Sequence, residues 1–476
     1  MSVENFFIGR EEEKQRMQSC IQSKDSRLVA VLGRRRVGKT YFIKNTLLDV
    51  PHFYFTGIQD VSRERLLLEF SIKINEMSGY AVPVKEPKDW FEAFALLKQL
   101  LIEKFGKSKK VVFLDEFPWM DTHASGFMPA FEYFWNDWAV NQNILVIICG
   151  SATSWMMNNI LRNKSGLHNR VSEYFRIKPF NLLETEQYFA KKSISLSRYD
   201  IVQIYMAMGG IPHYLSLVRK GESVPVCIDR LFFEKDAPLK SEYANLYRAL
   251  FTHYENYELI VEKLAQKRKG LTRQEIIEST KFTNGGGLTK ILNELEECGF
   301  IQFQLPFSNK KREGLYRLVD EYSFFYHHFV TRNSSKGQFI SIYNTPKVRS
   351  WMGISFETLC MKHIDNIKYA LGISGVYTKI NSYYLPARTG SPGFQIDLII
   401  DRADNIINIC EMKFYGDVIT FSQKDEDAIR ERRVKFQSHT NTKKNVMVLF
   451  ISPFGVKDNK YSLSVIDQSV SIDALF

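Results

Sequence analysis

A loop near the N-terminus carries residue types suited to binding phosphate. Residues 33–40 are Gly-Arg-Arg-Arg-Val-Gly-Lys-Thr, which fits the spacing G-x-x-x-x-G-K-[ST]. Glycines let backbone N–H groups converge on phosphate oxygens, and a helix N-terminus adds a positive dipole. We expect Lys39 to reach the β- and γ-phosphates and Thr40 to hold Mg²⁺, so ATP and Mg²⁺ are the predicted cofactors. The residues assigned to this site are Gly33, Arg34, Arg35, Arg36, Val37, Gly38, Lys39 and Thr40.

Paired carboxylates follow a second apolar stretch. Residues 111–114 are Val-Val-Phe-Leu, and Asp115 and Glu116 come directly after them. Acids at a strand tip near a phosphate loop suit Mg²⁺ chemistry, so we predict that Asp115 binds the Mg²⁺ shell and Glu116 orients and deprotonates the attacking water. After a further apolar run at 143–149, Ser151 is the candidate γ-phosphate sensor.

Two later residues complete the predicted ATP site, and each has an alternative explanation. Arg170 occupies a position from which an arginine finger could approach a nucleotide, although an ordinary surface arginine fits equally well. Pro212 ends the run Gly-Gly-Ile-Pro at 209–212, and its rigid ring could press on an adenine from a helical lid. An inter-helix turn explains the same four residues. Before the loop, Ile8 and Arg10 are expected near the base.

A second constellation lies in the C-terminal part of the chain. Asp397 lies on the apolar run 394–400, whereas Glu411 and Lys413 lie two apart on the run 406–413 and so share a strand face. This order is typical of metal-dependent phosphodiester cleavage, in which two acids hold Mg²⁺ and a lysine stabilises the hydrolytic water or helps to deprotonate it. The Glu-x-Lys pair alone is a weak signal, because alternating strands often place such pairs on solvent faces.

The surroundings of these residues strengthen the assignment. Glu357 lies on a predicted helix before the two strands, and a basic helical stretch at 423–436 follows them. The cations of that stretch, which we expect to contact phosphates, are Arg430, Arg432, Arg433 and Lys435. We therefore assign Glu357, Asp397, Glu411 and Lys413 to a nuclease-like site in which Asp397 and Glu411 hold the metal.

The elements that position these residues alternate between strands and helices. Residues 28–32 predict a buried strand and residues 41–48 a helix, which gives the strand, loop and helix order that a phosphate loop requires. The expected fold class is α/β with several domains.

Between the two constellations, the pattern changes to three helices followed by two strands. This order predicts a winged helix with its third helix at 288–298 and a basic wing tip, Lys310-Lys311-Arg312. We expect Glu294, Glu296 and Glu297 to be exposed on the third helix. An acidic surface there leaves DNA contact and protein interaction equally open.

Chain length and these patterns predict five segments. A chain of 476 residues is expected to hold about three or four domains. The segments are a P-loop ATPase core of the ASCE class with a parallel sheet at 1–182, a helical lid at 183–250, a winged-helix domain at 251–321, a connector at 322–350 and a restriction-endonuclease-like α/β domain at 351–476.

Composition bears on partners and location. The formal net charge is +11, which favours a polyanionic partner, DNA above all, although a basic protein without such a partner is the alternative. Six scattered cysteines without a C-x-x-C pair predict reduced thiols. No apolar run approaches about 18 residues, so we expect a cytoplasmic protein with no membrane segment. A homo-oligomer is left open, since Arg170 could act in cis or in trans.

The motifs resemble those of a known family. Residues 33–40, Phe-Leu-Asp-Glu at 113–116, Gly-Ser at 150–151 and Gly-Gly-Ile-Pro at 209–212 look like the archaeal-type ATPase family, a branch of the AAA+/STAND group. The part from about 322 to 476 resembles the DUF234-type domain that follows this ATPase and is similar to PD-(D/E)xK nucleases, with Ile396 where the familiar motif has proline. The resemblance implies ATP contact at the loop, Mg²⁺ and water roles at Asp115 and Glu116, and nuclease metal binding at Asp397 and Glu411.

Three functions fit this sequence. The first is an ATP-hydrolysing switch coupled to a Mg²⁺-dependent nuclease domain acting on DNA. The second is an ATP-gated, non-catalytic regulator or scaffold whose C-terminal domain only binds nucleic acid or protein. The third, a transcription factor, is disfavoured by the expected acidic third helix.

Overall fold

The chain divides into two compact units in a computed structural model. The structure describes residues 7–79, 82–162, 166–167, 169–251, 253–267, 269–307, 313–330, 335–385 and 393–476. The first unit comprises the chain up to Pro179 with a short segment that begins at Ala249, and the second begins at Phe180 and holds the rest.

The first unit is built around a parallel sheet. Its elements are α1 (Glu11–Gln22), β1 (Arg27–Leu32), α2 (Lys39–Thr46), β2 (Phe53–Thr56), α3 (Arg63–Ser78), α4 (Trp90–Phe105), β3 (Lys110–Asp115), α5 (Phe127–Tyr133), β4 (Ile144–Gly150), α6 (Thr153–Met156) and β5 (Val171–Arg176). The strand order is β2-β3-β4-β1-β5, and every neighbouring pair is parallel. The strand predicted at 28–32 and the helix predicted after the loop are confirmed.

The sequence of the central strands explains their place in the sheet. β3 and β4 are buried along their whole length and β1 along all but its first residue, as expected for parallel strands covered on both faces. Parallel strands end at the same edge of a sheet. The loop after β1, the acids Asp115 and Glu116 at the end of β3 and Ser151 after β4 therefore share one edge.

The second unit is longer and contains two sheets. Its elements are α7 (Leu182–Lys191), α8 (Arg198–Met208), α9 (Pro212–Leu215), α10 (Val224–Phe232), α11 (Pro238–Arg248), α12 (Tyr254–Ala265), β6 (Leu271–Thr272), α13 (Arg273–Thr280), α14 (Gly286–Glu297), β7 (Ile301–Gln304), β8 (Leu315–Leu318), α15 (Glu321–Phe329), α16 (Gln338–Ile342), α17 (Pro346–Lys362), α18 (Ile364–Ala370), β9 (Thr378–Leu385), β10 (Phe394–Arg402), β11 (Ile406–Met412), α19 (Gln423–Thr440), β12 (Asn445–Ile451), α20 (Lys460–Leu463) and β13 (Gln468–Val470). The smaller sheet has the order β6-β8-β7, and the larger, mixed sheet has the order β13-β12-β11-β10-β9.

The segment from α12 to β8, called here the α12–β8 module, contains the predicted three helices and two strands with the short β6 added. β8 pairs antiparallel with both β6 and β7. A capping box between Thr272 and Glu275 begins α13. The predicted basic wing tip, 310–312, lies outside the described residues.

The surface of α14 differs from the expectation. Glu294 is buried and accepts a hydrogen bond from the Tyr257 hydroxyl, while Glu296 is half-buried and accepts one from the Phe303 N–H at 2.9 Å. Glu297 is also half-buried. The expected acidic surface is therefore wrong: Glu294 and Glu296 accept hydrogen bonds from the module's own polar groups, and none of the three acids is fully exposed. The exposed side chains of this helix include Thr289, Lys290 and Asn293.

Residues 322–350 do more than connect two domains. Phe325 and Phe329 of α15 are buried, and the Phe325 ring lies 5.5 Å from Phe339 and 5.2 Å from Trp351, between ring centroids. The aromatic density that the sequence shows at this point thus forms core of the second unit. Residues 331–334 of the expected connector lie outside the described residues.

All six cysteines are free and buried, which agrees with the predicted thiols. Among the residues that the structure describes, no helix is both long and apolar enough to cross a membrane.

Candidate nucleotide site and C-terminal pocket

The loop between β1 and α2 needs glycine at both of its ends. Gly33 has φ +153°, and a Cβ atom there would lie 2.4 Å from the Ile177 carbonyl oxygen. Gly38 has φ +88° and directly precedes α2. The first glycine thus allows close approach of two backbone segments, and the second turns the chain into the helix.

Two side chains of α2 connect this loop with the tip of β3. Lys39 is buried, and its Nζ donates to the Arg34 carbonyl oxygen at 2.9 Å. The Thr40 hydroxyl donates to Asp115 Oδ2 at 2.8 Å. Hydroxyl and carboxylate oxygens are ligands that Mg²⁺ prefers, and the lysine with the α2 N-terminus supplies positive charge for phosphate. The residues therefore fit Mg²⁺-bound ATP, which would place the metal at Thr40 and Asp115.

Glu116 is held by the residue that follows β4. Its Oε2 accepts hydrogen bonds from Ser151 Oγ at 2.9 Å and from the Ser151 N–H at 3.3 Å. The Glu116 backbone has φ +46°, in the left-handed region, and its N–H donates to Asp115 Oδ1 at 3.0 Å. Ser151 thus orients the carboxylate that we predicted to activate water.

Arg10 lies against the phosphate loop. Its Nη2 donates to the Val37 carbonyl oxygen at 2.7 Å and to that of Lys178 at 3.2 Å. The residue therefore ties the segment before α1 to the loop and to the chain after β5, within the first unit. Ile8 beside it is buried.

Arg170 and Pro212, the two remaining predicted residues of the ATP site, lie in different units. Arg170 is exposed, and its backbone N–H donates to the Leu167 carbonyl oxygen at 2.9 Å. Pro212 belongs to the second unit, where it begins α9. Before it, a Cβ atom at Gly210 would lie 1.9 Å from the Phe180 carbonyl oxygen, so this glycine lets two backbone segments touch.

Asp397 and Glu411 lie on neighbouring strands of the mixed sheet. β10 and β11 are antiparallel, with Leu398 opposite Cys410. The next position in this register places Asp397 beside Glu411, and opposite residues of an antiparallel pair share a face. The register of β10 with β9 shifts between Ile396 and Ile399, so Asp397 lies in an irregular part of the strand.

Both carboxylates border one open pocket of about 280 Å³ and contact cations. The pocket is lined by Glu357, Gln395, Ile396, Asp397, Cys410, Glu411, Met412, Lys413 and Arg432. Lys413 Nζ lies 2.9 Å from Glu411 Oε1, and Arg432 contacts Glu411 Oε2. Asp397 Oδ1 accepts from Gln395 Nε2 at 2.5 Å and lies 3.5 Å from Arg317 Nη2. The predicted residues thus share a pocket, and the acids are partly neutralised.

The basic helix α19 uses its cations within the protein. Each of its four predicted phosphate ligands forms an ion pair: Arg430 with Glu426, Arg432 with Glu411, Arg433 with Asp467 and Lys435 with Glu431. The expected row of phosphate contacts is therefore at least partly occupied by carboxylates.

Oxygen donors in the pocket suit a divalent cation, and their number is small. Asp397 and Glu411 would hold it, and such an ion would supply Lewis-acid chemistry to a phosphodiester. Across the described part of the chain, no three or more His, Cys, Asp or Glu side chains gather closely enough to form a metal site. The two carboxylates are suitable ligands for a divalent cation, and in this structure their neighbours are the cations of Arg317, Lys413 and Arg432.

The family comparison agrees with the geometry of the first site. Residues 7–218 match the family described as an ATPase domain predominantly from Archaea. These residues form an archaeal-type ATPase domain. The sheet, loop and acids described above belong to it, and the chain is a P-loop ATPase with an α/β fold.

Similarity to individual proteins is more distant. An uncharacterized protein of Methanocaldococcus jannaschii is 24% identical over 401 residues, which cover 83% of this chain and 84% of that protein. The Walker-type ATPase of Pyrococcus abyssi is 18% identical with a TM-score of 0.48, and the match covers 67% of this chain and 96% of that one. The ORC2 protein of Aeropyrum pernix, with ADPNP and ADP, is 14% identical with a TM-score of 0.43 and coverage of 67% and 92%.

Sequence reasoning missed three contacts around the two sites. Gln395 is two positions before Asp397 and shares its strand face, so alternation could have found it. Arg10 of the ATPase domain was expected near the base, and nothing in the sequence indicates its bonds to the loop. Arg317 is 80 residues from Asp397 in the chain, and no local pattern connects them.

Proposed function

We propose that the archaeal-type ATPase domain is an ATP-driven switch coupled to a Mg²⁺-dependent nuclease-like domain that acts on DNA. The observation that carries the nuclease part is the pocket in which Asp397 and Glu411 lie side by side with Lys413 on Glu411. In this proposal the two acids hold the metal, Lys413 assists the hydrolytic water, and Glu357 borders the site. Within the ATPase domain, Lys39, Thr40, Asp115 and Glu116 carry the roles assigned above.

DNA is the favoured substrate because of charge and of the surface of α14. The chain carries a formal net charge of +11. We propose that the α12–β8 module is a winged helix and that α14 presents Thr289, Lys290 and Asn293 to DNA, since these side chains are exposed while Glu294 is buried and Glu296 and Glu297 are half-buried. Lys290→Ala should then weaken binding of duplex DNA and reduce the salt slope by about one. An exposed lysine of the first unit, Lys85→Ala, is the control, and equal slopes would remove α14 from the interface.

The second candidate is an ATP-gated regulator whose C-terminal domain only binds. One specific observation favours it: both acids of the pocket have cationic partners, and the four basic residues of α19 each pair with a carboxylate. A domain that only binds has no need of free metal ligands.

Cleavage assays separate the two candidates. The full chain is incubated with supercoiled and with single-stranded DNA, each with and without ATP, Mg²⁺ or Mn²⁺. We expect cleavage that needs a divalent cation and is lost in Asp397→Asn and Glu411→Gln while ATP hydrolysis persists. Lys413→Ala should slow cleavage without removing metal binding. Asparagine and glutamine keep the shape of the acids. Loss of cleavage in a variant that still folds therefore shows that the carboxylate charge is required for cleavage. If wild-type protein cuts no DNA under any of these conditions and shows no divalent-cation binding that depends on Asp397, the regulator is the correct function.

A further inference from the structure

Arg317 contacts Asp397, one of the acids that line the C-terminal pocket, from a different sheet. It lies on β8, in the α12–β8 module, whereas Asp397 lies on β10 of the mixed sheet. Its Nη2 is 3.5 Å from Asp397 Oδ1, and its Nη1 is 3.9 Å from the Met361 sulfur. Both sheets belong to the second unit. A guanidinium from one module thus faces the acid that the proposed function assigns to a metal.

The cations around the two acids differ in how easily they can leave. The side chain of Lys413 is 46% exposed and that of Arg432 is 34% exposed, so either can turn toward water. The side chain of Arg317 is 8% exposed. A buried guanidinium needs an anionic or polar partner, and it can withdraw from Asp397 only if β8 or its surroundings move.

We propose that Arg317 is an autoinhibitory latch on the C-terminal site. The inference rests on the proposed function, because it concerns metal binding at Asp397. In the arrangement seen here, the guanidinium occupies the space beside Asp397 Oδ1 and repels a divalent cation. When β8 withdraws Arg317, the carboxylate becomes available, and the site gains metal affinity. The position of the α12–β8 module then controls whether the pocket can bind a divalent cation.

Metal affinity tests the latch without reference to catalysis. Mn²⁺ binding to the full chain is measured by the loss of the free Mn²⁺ electron paramagnetic resonance signal, in the absence of nucleotide. The part of the binding that depends on Asp397 is isolated by comparison with Asp397→Asn. We expect Arg317→Gln to tighten this part by about tenfold or more, within the usual range of coupling between sites. The double variant Arg317→Gln with Asp397→Asn should lose the gain.

The matched control is Arg402→Gln. Arg402 lies on β10, the strand of Asp397. It is as buried as Arg317 and pairs with a carboxylate, that of Asp404, which does not line the pocket. Its loss should leave Mn²⁺ affinity unchanged. Arg317→Met, which fills a similar volume without charge, is the second variant if Arg317→Gln proves unstable in thermal unfolding, since buried ion pairs often tolerate apolar replacement.

The outcomes are distinguishable. The latch is supported if the Arg317 variants, but not Arg402→Gln, bind Mn²⁺ more tightly than wild type and this gain depends on Asp397. Equal Asp397-dependent binding in wild type and variants overturns the latch and leaves the proposed metal site intact. An equal gain in Arg402→Gln shows general loosening and also overturns it. If no protein shows Asp397-dependent binding, both the latch and the nuclease part of the proposed function are wrong.

Discussion

Replacing Glu116 with glutamine should separate ATP binding from ATP hydrolysis. The side chain keeps its length, and its amide oxygen still accepts the hydrogen bond that Ser151 Oγ donates at 2.9 Å in the wild type. The change removes the negative charge and with it the ability to take a proton from water. Thr40 and Asp115, which we assign to Mg²⁺, stay unchanged, so affinity for ATP should remain close to that of wild type.

The size of the effect follows from the role assigned to this carboxylate. A positioned general base contributes roughly 10²- to 10⁴-fold to a rate, which is about 2.7 to 5.4 kcal/mol of activation free energy. Two donors from Ser151 fix Glu116 at 2.9 and 3.3 Å, so the group is well positioned before any substrate arrives. We expect kcat to fall by about a hundredfold or more.

Phosphate release at saturating ATP measures hydrolysis, and a fluorescent ATP analogue measures binding. Glu69→Gln on α3 is the control, because this acid pairs with Arg65 at 2.5 Å on the surface of the same unit. A wild-type rate in Glu116→Gln would refute the general-base role. Loss of binding together with hydrolysis would show that Glu116 supports the fold of the site.

Three further predictions concern charge at named positions. Lys39→Ala should weaken ATP binding by about 10- to 100-fold in the fluorescence assay, because hydrogen bonds to charged groups contribute about 1.5–3 kcal/mol; unchanged affinity would place phosphate elsewhere. Arg170→Ala should keep ATP binding and lose hydrolysis if Arg170 acts in trans, and mixing it with Lys39→Ala protein should restore some phosphate release; a monomer with unchanged hydrolysis excludes this. Burial lowers the pKa of His363 to about 4, below its value in the unfolded chain. The unfolded state then binds more protons between about pH 6.5 and pH 4, so stability should fall as pH falls through this window, by up to about 3 kcal/mol. Urea unfolding at about pH 7.5 and pH 4.5 should show a smaller loss in His363→Gln than in wild type or in the exposed control His439→Gln, and equal losses would contradict the assignment.

The first site was predictable because its signals are local. Residues 33–40 contain the whole phosphate loop, and Asp115 and Glu116 directly follow an apolar run. Parallel strands then bring Ser151 to the same edge without further information. The strand order, which places β4 between β1 and β3, has no local signal and came only from the structure.

In the second unit, predictions from local sequence patterns fail for side chains whose surroundings depend on distant residues. Glu294 appears outward on a helical pattern, yet it is buried because Tyr257, 37 residues away, donates to it. β12 contains the apolar run 446–451, which is a readable strand signal, whereas β9 at 378–385 is mostly polar and half-buried. Partners of buried charges depend on tertiary contacts that spacing does not encode.

The two sites hold their acids with different kinds of partner, and this difference has a consequence for activity. Asp115 accepts from the Thr40 hydroxyl and Glu116 from the Ser151 hydroxyl, which are neutral donors and leave the negative charge available to a metal or a proton. In the C-terminal pocket, the partners of Asp397 and Glu411 include cations, which compete with a divalent ion. ATP hydrolysis should therefore need no rearrangement of these carboxylates, whereas DNA cleavage should require that Arg317 first leave Asp397. Purified chain that hydrolyses ATP but cuts DNA only slowly until Arg317 is replaced would have the behaviour that this arrangement of charges predicts.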